Sequence, residues 1–210
     1  MCPLIMQDID TLQAIFSIAV LIFSVSAHEA SHGYMAQSLG DPTARLAGRL
    51  TLNPLKHLDL MGSIIVPFLM FISHGPMLGW AKPVPYNPYN LRDQKWGDAK
   101  VALAGPLTNL GIAFIAAMFL RFGFTHLTMP MISLLNIIIT VNLVLAIFNL
   151  VPIPPLDGSK VLISLLPQRQ RYLAHYLERY ALVFMLIFVF FLWQFFLPLV
   201  DLVYRLFVGA

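Results

Sequence analysis

Two histidines four residues apart, His28 and His32, bracket Glu29 in the run SVSAHEASHGYMA. On a helix, positions i and i+4 project from one face, so both imidazoles can meet one metal ion. Two neutral imidazole nitrogens suit zinc. Glu29 need not ligate. Its carboxylate can reach a metal-bound water, whose pKa zinc lowers to about 7, and take its proton. This is the chemistry behind the H-E-x-x-H pattern. Glu29 is also the one formally charged residue between Thr11 and Gly40, and the chain has a single other glutamate, Glu178.

The elements that must position these groups are apolar. The 210 residues are 59% hydrophobic and 11% charged, whereas about a quarter of the residues of a soluble domain are charged. The class expected is an all-α polytopic membrane protein, built as one integral-membrane domain over 1–210. A carboxylate inside a bilayer costs several kcal/mol unless it is paired or hydrated, so Glu29 reads as functional rather than as a solvated face. Cys2 stands alone, which excludes an internal disulfide framework and a cysteine-rich metal site. No basic cluster is interleaved with aromatics, so nucleic acid is excluded as a partner, and the lipid bilayer is the expected surroundings. Residues 1–10 hold Asp8 and Asp10 and no Lys or Arg, so no cleavable signal peptide is expected.

Clear spans are predicted over 11–39, 98–120, 130–150 and 181–207, the last broken and bent at Pro198. Residues 60–73 are apolar but short for a full crossing and are expected to re-enter on the side they left. The total is about four to six membrane segments. The Pro-rich stretch HGPMLGWAKPVPYNPYNLRDQKWG, 74–97, is expected to run extended or looped between the first helix and the next core span. With the N-terminus outside, the loops 41–100 and 151–180 lie inside and carry eleven of the 13 Lys and Arg, with Arg121 and Arg205 outside. The positive-inside rule favours that arrangement. His28 then lies roughly 24 Å along its helix from Leu12, on the cytoplasmic side of a core about 30 Å thick.

A catalytic zinc takes three protein ligands and keeps a fourth position for water. Glu178 lies among Arg171, His175 and Arg179, which suits a solvated, ion-paired face. His57 and Asp59 lie in the connection after the first helix. Asp157, in PPLDGSK, falls on the same side of the membrane as His28 and His32 and is the chosen oxygen ligand. Alone, Asp-Gly after prolines would read as a turn.

The motif HEASH on the first membrane helix, with NLVPIPPLDG after a later one, resembles the site-2 proteases, intramembrane zinc metalloproteases that cut transmembrane or membrane-proximal segments. The resemblance covers most of residues 20–165. It implies that His28, His32 and Asp157 bind Zn2+ and that Glu29 is the general base. AGPLTN, 104–109, matches a small-residue motif that opens a core helix in that family. Asn149, eight residues before Asp157, matches an asparagine able to donate to a developing oxyanion. Larger members carry a further span and a PDZ or nucleotide-sensing domain, so a compact form is expected here, in a prokaryotic inner membrane with its active site toward the cytoplasm. The stretch GWAKPVPYNPYNL, 79–91, resembles a segment that compact members place between the first two core helices. It either lines the site and pairs with a substrate strand, or forms an interfacial loop anchored by Trp80, Tyr86, Tyr89 and Trp96.

Two other functions compete. One is an integral-membrane metallopeptidase with Glu178 as its third ligand. The other is a non-enzymatic metal-binding membrane protein or transporter, which should show more ionisable residues along its spans. Ser31 and Ser159 lie near the motifs, without a His–Asp arrangement that would make either a nucleophile. Gly105, Gly111, Ala102, Ala104 and Ala113 read as a packing face, and Asn136 and Asn142 as channel lining or helix links.

Overall fold

A computed structural model describes residues 11–59, 62, 65, 72, 81–167 and 172–209. Its helices are α1 (Thr11–Ser38), α2 (Thr43–Leu46), α3 (Gly97–Gly123), α4 (Met129–Asn149), α5 (Asp157–Leu165), α6 (Tyr172–Arg179), α7 (Ala181–Ile187) and α8 (Leu197–Val208). The fold is all-helical, with no strand among the described residues.

Among the described residues, four stretches are long and apolar enough to cross a membrane: α1, α3, α4 and the run Ala181–Val208. At 1.5 Å per residue, the 28 residues of α1 extend about 42 Å and the 21 of α4 about 32 Å, against a hydrocarbon core of about 30 Å. The expected spans 11–39, 98–120, 130–150 and 181–207 therefore match to within a few residues. The expected re-entry of 60–73 falls almost wholly outside the described residues.

The last span is irregular, but not at Pro198 itself. Its ladder widens to a π turn over Phe188–Leu192 and tightens to a 3-10 turn over Trp193–Phe196, and Pro198 then sits in the first turn of α8. A proline has no N–H to donate and its ring crowds the carbonyl four residues back. The preceding turns absorb that defect, and in the first turn of a new helix the missing N–H leaves nothing unsatisfied.

Helix α3 is the centre of the bundle, in contact with α1, α4, α5 and α8. Ala113, Ala116, Ala117 and Leu120 of α3 meet Ile139, Leu143 and Ile147 of α4 and Val200 of α8. Lipid tails are as apolar as leucine, so close van der Waals packing holds such helices together, and alanines let the backbones approach. A second cluster, around Val151, Leu156 and Phe188, fastens the connection after α4 to the last span, with Phe148, Trp193 and Phe196 packed on it.

Residues 81–87 have no regular structure, and Pro88–Asn90 form one 3-10 turn. This segment lies along the C-terminal half of α1. Lys82 N–H donates to His57 O at 2.8 Å and Arg92 N–H to Leu39 O at 2.8 Å. Asp41, fully enclosed, takes the Asn87 N–H at 2.7 Å and the Asn90 side-chain amide at 2.8 Å. Ala36 of α1, Leu91 and Val101 of α3 form the small apolar core beneath, with Tyr86 against it. The extended path expected of the Pro-rich stretch holds over 81–87; Trp80 lies outside the described residues.

Candidate metal centre

The residues that could ligate a metal come from both ends of the folded core. His28 and His32 lie one turn apart on α1, with ring centroids 4.7 Å apart and edge to face. Asp157 is the first residue of α5, some 130 positions later. Its Oδ2 stands 3.0 Å from His28 Nε2 and 3.2 Å from His32 Nε2. All three residues are buried, and one donor atom from each lies within 4.8 Å of the other two.

Local sequence explains how Asp157 reaches that point. The prolines of VPIPPLDG stop α4 from continuing, and the chain turns through residues 151–156 before α5 begins. Gly158 then passes against the end of α4. A Cβ there would lie 2.2 Å from Leu150 O and 2.5 Å from Val151 O. The Asp-Gly pair is thus a close backbone approach at a helix start, rather than the left-handed turn that the dipeptide alone suggests.

The opposite wall is α3. A Cβ on Gly105 would stand 2.5 Å from both His28 Nε2 and His32 Nε2. The absent side chain leaves room in front of the two nitrogens. Pro106 follows and interrupts the helix ladder just beyond it. The reading of Gly105 as packing alone is therefore incomplete: it packs against ligand candidates.

Both imidazoles are held by their other nitrogen. His32 Nδ1–H donates to Val101 O at 2.7 Å. His28 Nδ1 meets Asn109 Oδ1 at 2.6 Å. With Nδ1 carrying the proton, each Nε2 presents a lone pair toward Asp157.

This donor set fits zinc. In a tetrahedral site with bonds of about 2.0–2.1 Å, neighbouring donors stand about 3.3 Å apart, close to the spacing between Asp157 and each imidazole. Two neutral nitrogens, one carboxylate oxygen and the space left at Gly105 are the composition of an open three-ligand site.

Glu29 is half-buried on the same turn of α1, and its Oε2 accepts the Val84 N–H at 2.9 Å. One carboxylate oxygen is thus tied to the segment lying along α1. Asn149 ends α4, where its Nδ2 donates to Leu145 O at 2.9 Å, leaving a second amide hydrogen. Asn149 makes no hydrogen bond to His28, His32 or Asp157 among the described residues.

The remaining candidates lie elsewhere. Glu178 is exposed on α6 and is outside the cluster. Buried His57 donates its Nε2–H to Thr51 O at 2.8 Å, and Asp59 accepts the Gly62 N–H. Ser31 is bonded to Ala27 O and Thr108, and Ser159 to Leu156 O. The residue that sequence reasoning missed is Asn109. It is the last residue of AGPLTN, and an asparagine inside an apolar helix is itself a signal of an internal partner.

A sequence profile of peptidase family M50 matches residues 124–192, which include Asn149 and Asp157. The chain is 38% identical over 182 residues to "Putative zinc metalloprotease YwhC" of Bacillus subtilis, covering 83% of this chain and 80% of that protein. It is 30% identical over 171 residues to "Putative zinc metalloprotease Rip2" of Mycobacterium tuberculosis, covering 81% of this chain and 64% of that one. No solved structure matches the chain. With four helices among the described residues fit to cross a membrane and relatives of these names, the chain is an integral-membrane member of peptidase family M50, the site-2 protease family of zinc metalloproteases.

Proposed function

We propose that this zinc metalloprotease hydrolyses peptide bonds in or near the transmembrane segments of other membrane proteins, as one domain over 1–210, with its site facing the cytoplasm of a prokaryotic inner membrane. The observation that carries this reading is the meeting of His28, His32 and Asp157 from α1 and α5, beside the carboxylate of Glu29. When bound, zinc supplies Lewis acidity, polarising a carbonyl and making water acidic enough to lose a proton near neutral pH.

The chain's own residues do the rest. His28 and His32 would hold the ion through Nε2 and Asp157 through a carboxylate oxygen. Glu29 accepts the proton of the attacking water and delivers it to the leaving nitrogen, so no acyl-enzyme forms. Asn149 donates its free amide N–H to the developing oxyanion.

A helix in lipid satisfies its own backbone, so its carbonyls are shielded from attack. The substrate must therefore unwind locally, which Gly, Pro or Asn favours. The position of the site supports this reading: His28 is 17 residues into α1, about 26 Å from its start. That depth is consistent with a site toward one surface of the bilayer, where water would have a short path. The charge distribution supports the cytoplasmic surface.

The test uses purified protein in lipid nanodiscs with single-span peptides that carry Gly, Pro or Asn near one end of the span. Mass spectrometry reads cleavage. Zinc-dependent cutting near that end by the wild type, and none by Glu29→Gln, is expected. Cleavage only of soluble peptides would overturn the intramembrane reading.

A further inference from the structure

Two asparagines inside the bundle do work that the catalytic assignment does not use. Asn109 of α3 and Asn142 of α4 are both 0% exposed, so no water reaches either amide. Their hydrogen bonds form a chain across three helices. Asn142 Nδ2–H donates to Ile138 O at 2.9 Å. Asn142 Oδ1 accepts from Asn109 Nδ2 at 2.8 Å, and the same Nδ2 reaches Ser24 O at 3.3 Å. Asn109 Oδ1 then faces His28 Nδ1 at 2.6 Å.

The direction of this chain is fixed by its far end. Ile138 O and Ser24 O are carbonyls and can only accept. Turning the Asn142 amide would set its oxygen against Ile138 O, and turning Asn109 would set oxygen against Ser24 O. Neither repulsion has water to relieve it. Asn109 must therefore show an oxygen to His28, and an oxygen there requires a proton on Nδ1.

We propose that Asn142 and Asn109 form an amide relay that fixes His28 in the Nδ1–H tautomer and so presents its Nε2 to the metal; both are positioning residues. This rests on the reading of His28 as a zinc ligand. The two histidines are served differently. His32 is fixed by a backbone carbonyl, Val101 O, which no side-chain substitution removes. His28 depends on two side chains, one on each neighbouring helix. Metal affinity is thereby coupled to the docking of α4, whose residues otherwise lie outside the ligand set.

The experiment measures zinc affinity by chelator competition on the full-length protein in detergent, with thermal unfolding measured alongside. Asn109→Leu removes the acceptor, and a loss of about 10- to 100-fold in zinc affinity is expected. Asn142→Leu frees the Asn109 amide to turn, and a smaller loss in the same direction is expected. Asn109→Asp keeps an oxygen against Nδ1 while setting its other oxygen against Asn142 Oδ1 and Ser24 O, so it should unfold at lower temperature than wild type yet retain more of the zinc affinity than Asn109→Leu does. In the zinc-loaded wild type, the Nδ1–H of a 15N-labelled His28 should be protected from exchange with solvent, as a buried hydrogen bond to Asn109 Oδ1 requires.

If both leucine variants unfold at lower temperature yet keep wild-type zinc affinity, the asparagines are helix links only and the relay is wrong. A His28 Nδ1–H that exchanges freely with solvent in zinc-loaded wild type would overturn it equally. Should a leucine variant fail to fold, Asn109→Asp and the labelled wild type still decide. Absence of zinc binding by the wild type itself would instead refute the ligand assignment.

Discussion

Gly105 of α3 lies directly against the two imidazoles of α1: a methyl group there would stand 2.5 Å from Nε2 of both His28 and His32. The neighbouring atoms are ring nitrogens held in place on their other side, not the free end of a flexible chain. Gly105→Ala should therefore weaken zinc binding, by about 1–3 kcal/mol if the rings shift to make room. Zinc titration of the purified variant measures this. Wild-type affinity in Gly105→Ala would mean that the metal, if bound, sits elsewhere.

Glu29 separates catalysis from metal binding. Glu29→Gln keeps the size of the side chain and removes the proposed base. Zinc content should be unchanged, while kcat should fall by about 10²- to 10⁴-fold. Elemental analysis and a cleavage assay on the same preparation give both readings. Loss of zinc together with activity would make Glu29 a ligand instead.

Asn149 makes a narrower prediction. If its free amide N–H serves the oxyanion, Asn149→Ala should lower kcat by about 10²- to 10³-fold with KM little changed. Asn149→Asp, which has no amide hydrogen, should be as poor. Full activity in either variant would leave Asn149 as the end of α4, bonded to Leu145 O.

Asp41 ties the 81–92 segment to α1, and its tie depends on pH. Burial pushes its carboxyl up, but hydrogen bonds from Thr43, Asn90 and Asn87 outweigh that and lower it from the ordinary value of 3.8. A carboxylate whose folded pKa is depressed contributes stability above its unfolded pKa and loses it as pH falls through the folded one. Asp41→Asn should release the segment by about 1–3 kcal/mol at neutral pH. The difference from wild type should shrink below about pH 4. Hydrogen exchange over residues 81–91 measures both. A difference that does not vary with pH would show that the charge on Asp41 is irrelevant to the tie.

Much of this was legible in the sequence because membrane segments and metal ligands both leave local marks. Apolar runs fixed α1, α3 and α4, since length and composition decide whether a helix can cross lipid. His28 and His32 were legible from their spacing alone. Asp157 needed a long-range argument, the sidedness of charged loops, because nothing near Asp157 distinguishes a ligand from a turn residue. What stayed hidden were contacts between helices. Asn109 was readable as polar but not as the partner of His28, because that depends on the rotation of α3 against α1. The contact of Val84 with Glu29 was hidden too, since a backbone N–H has no sequence signature. Pro198 pointed to the right span, but the defect spread to Phe188–Phe196 because the preceding turns could accommodate it.

The assignment depends on one carboxylate reaching two histidines from the far end of the core. Its most direct test is the zinc content and affinity of purified wild type beside Asp157→Ala, with thermal unfolding to confirm that the variant is folded. About one zinc per wild-type chain is expected, with severe loss of affinity in the folded Asp157→Ala protein. A folded Asp157→Ala chain that binds zinc as tightly as wild type would contradict the proposed site.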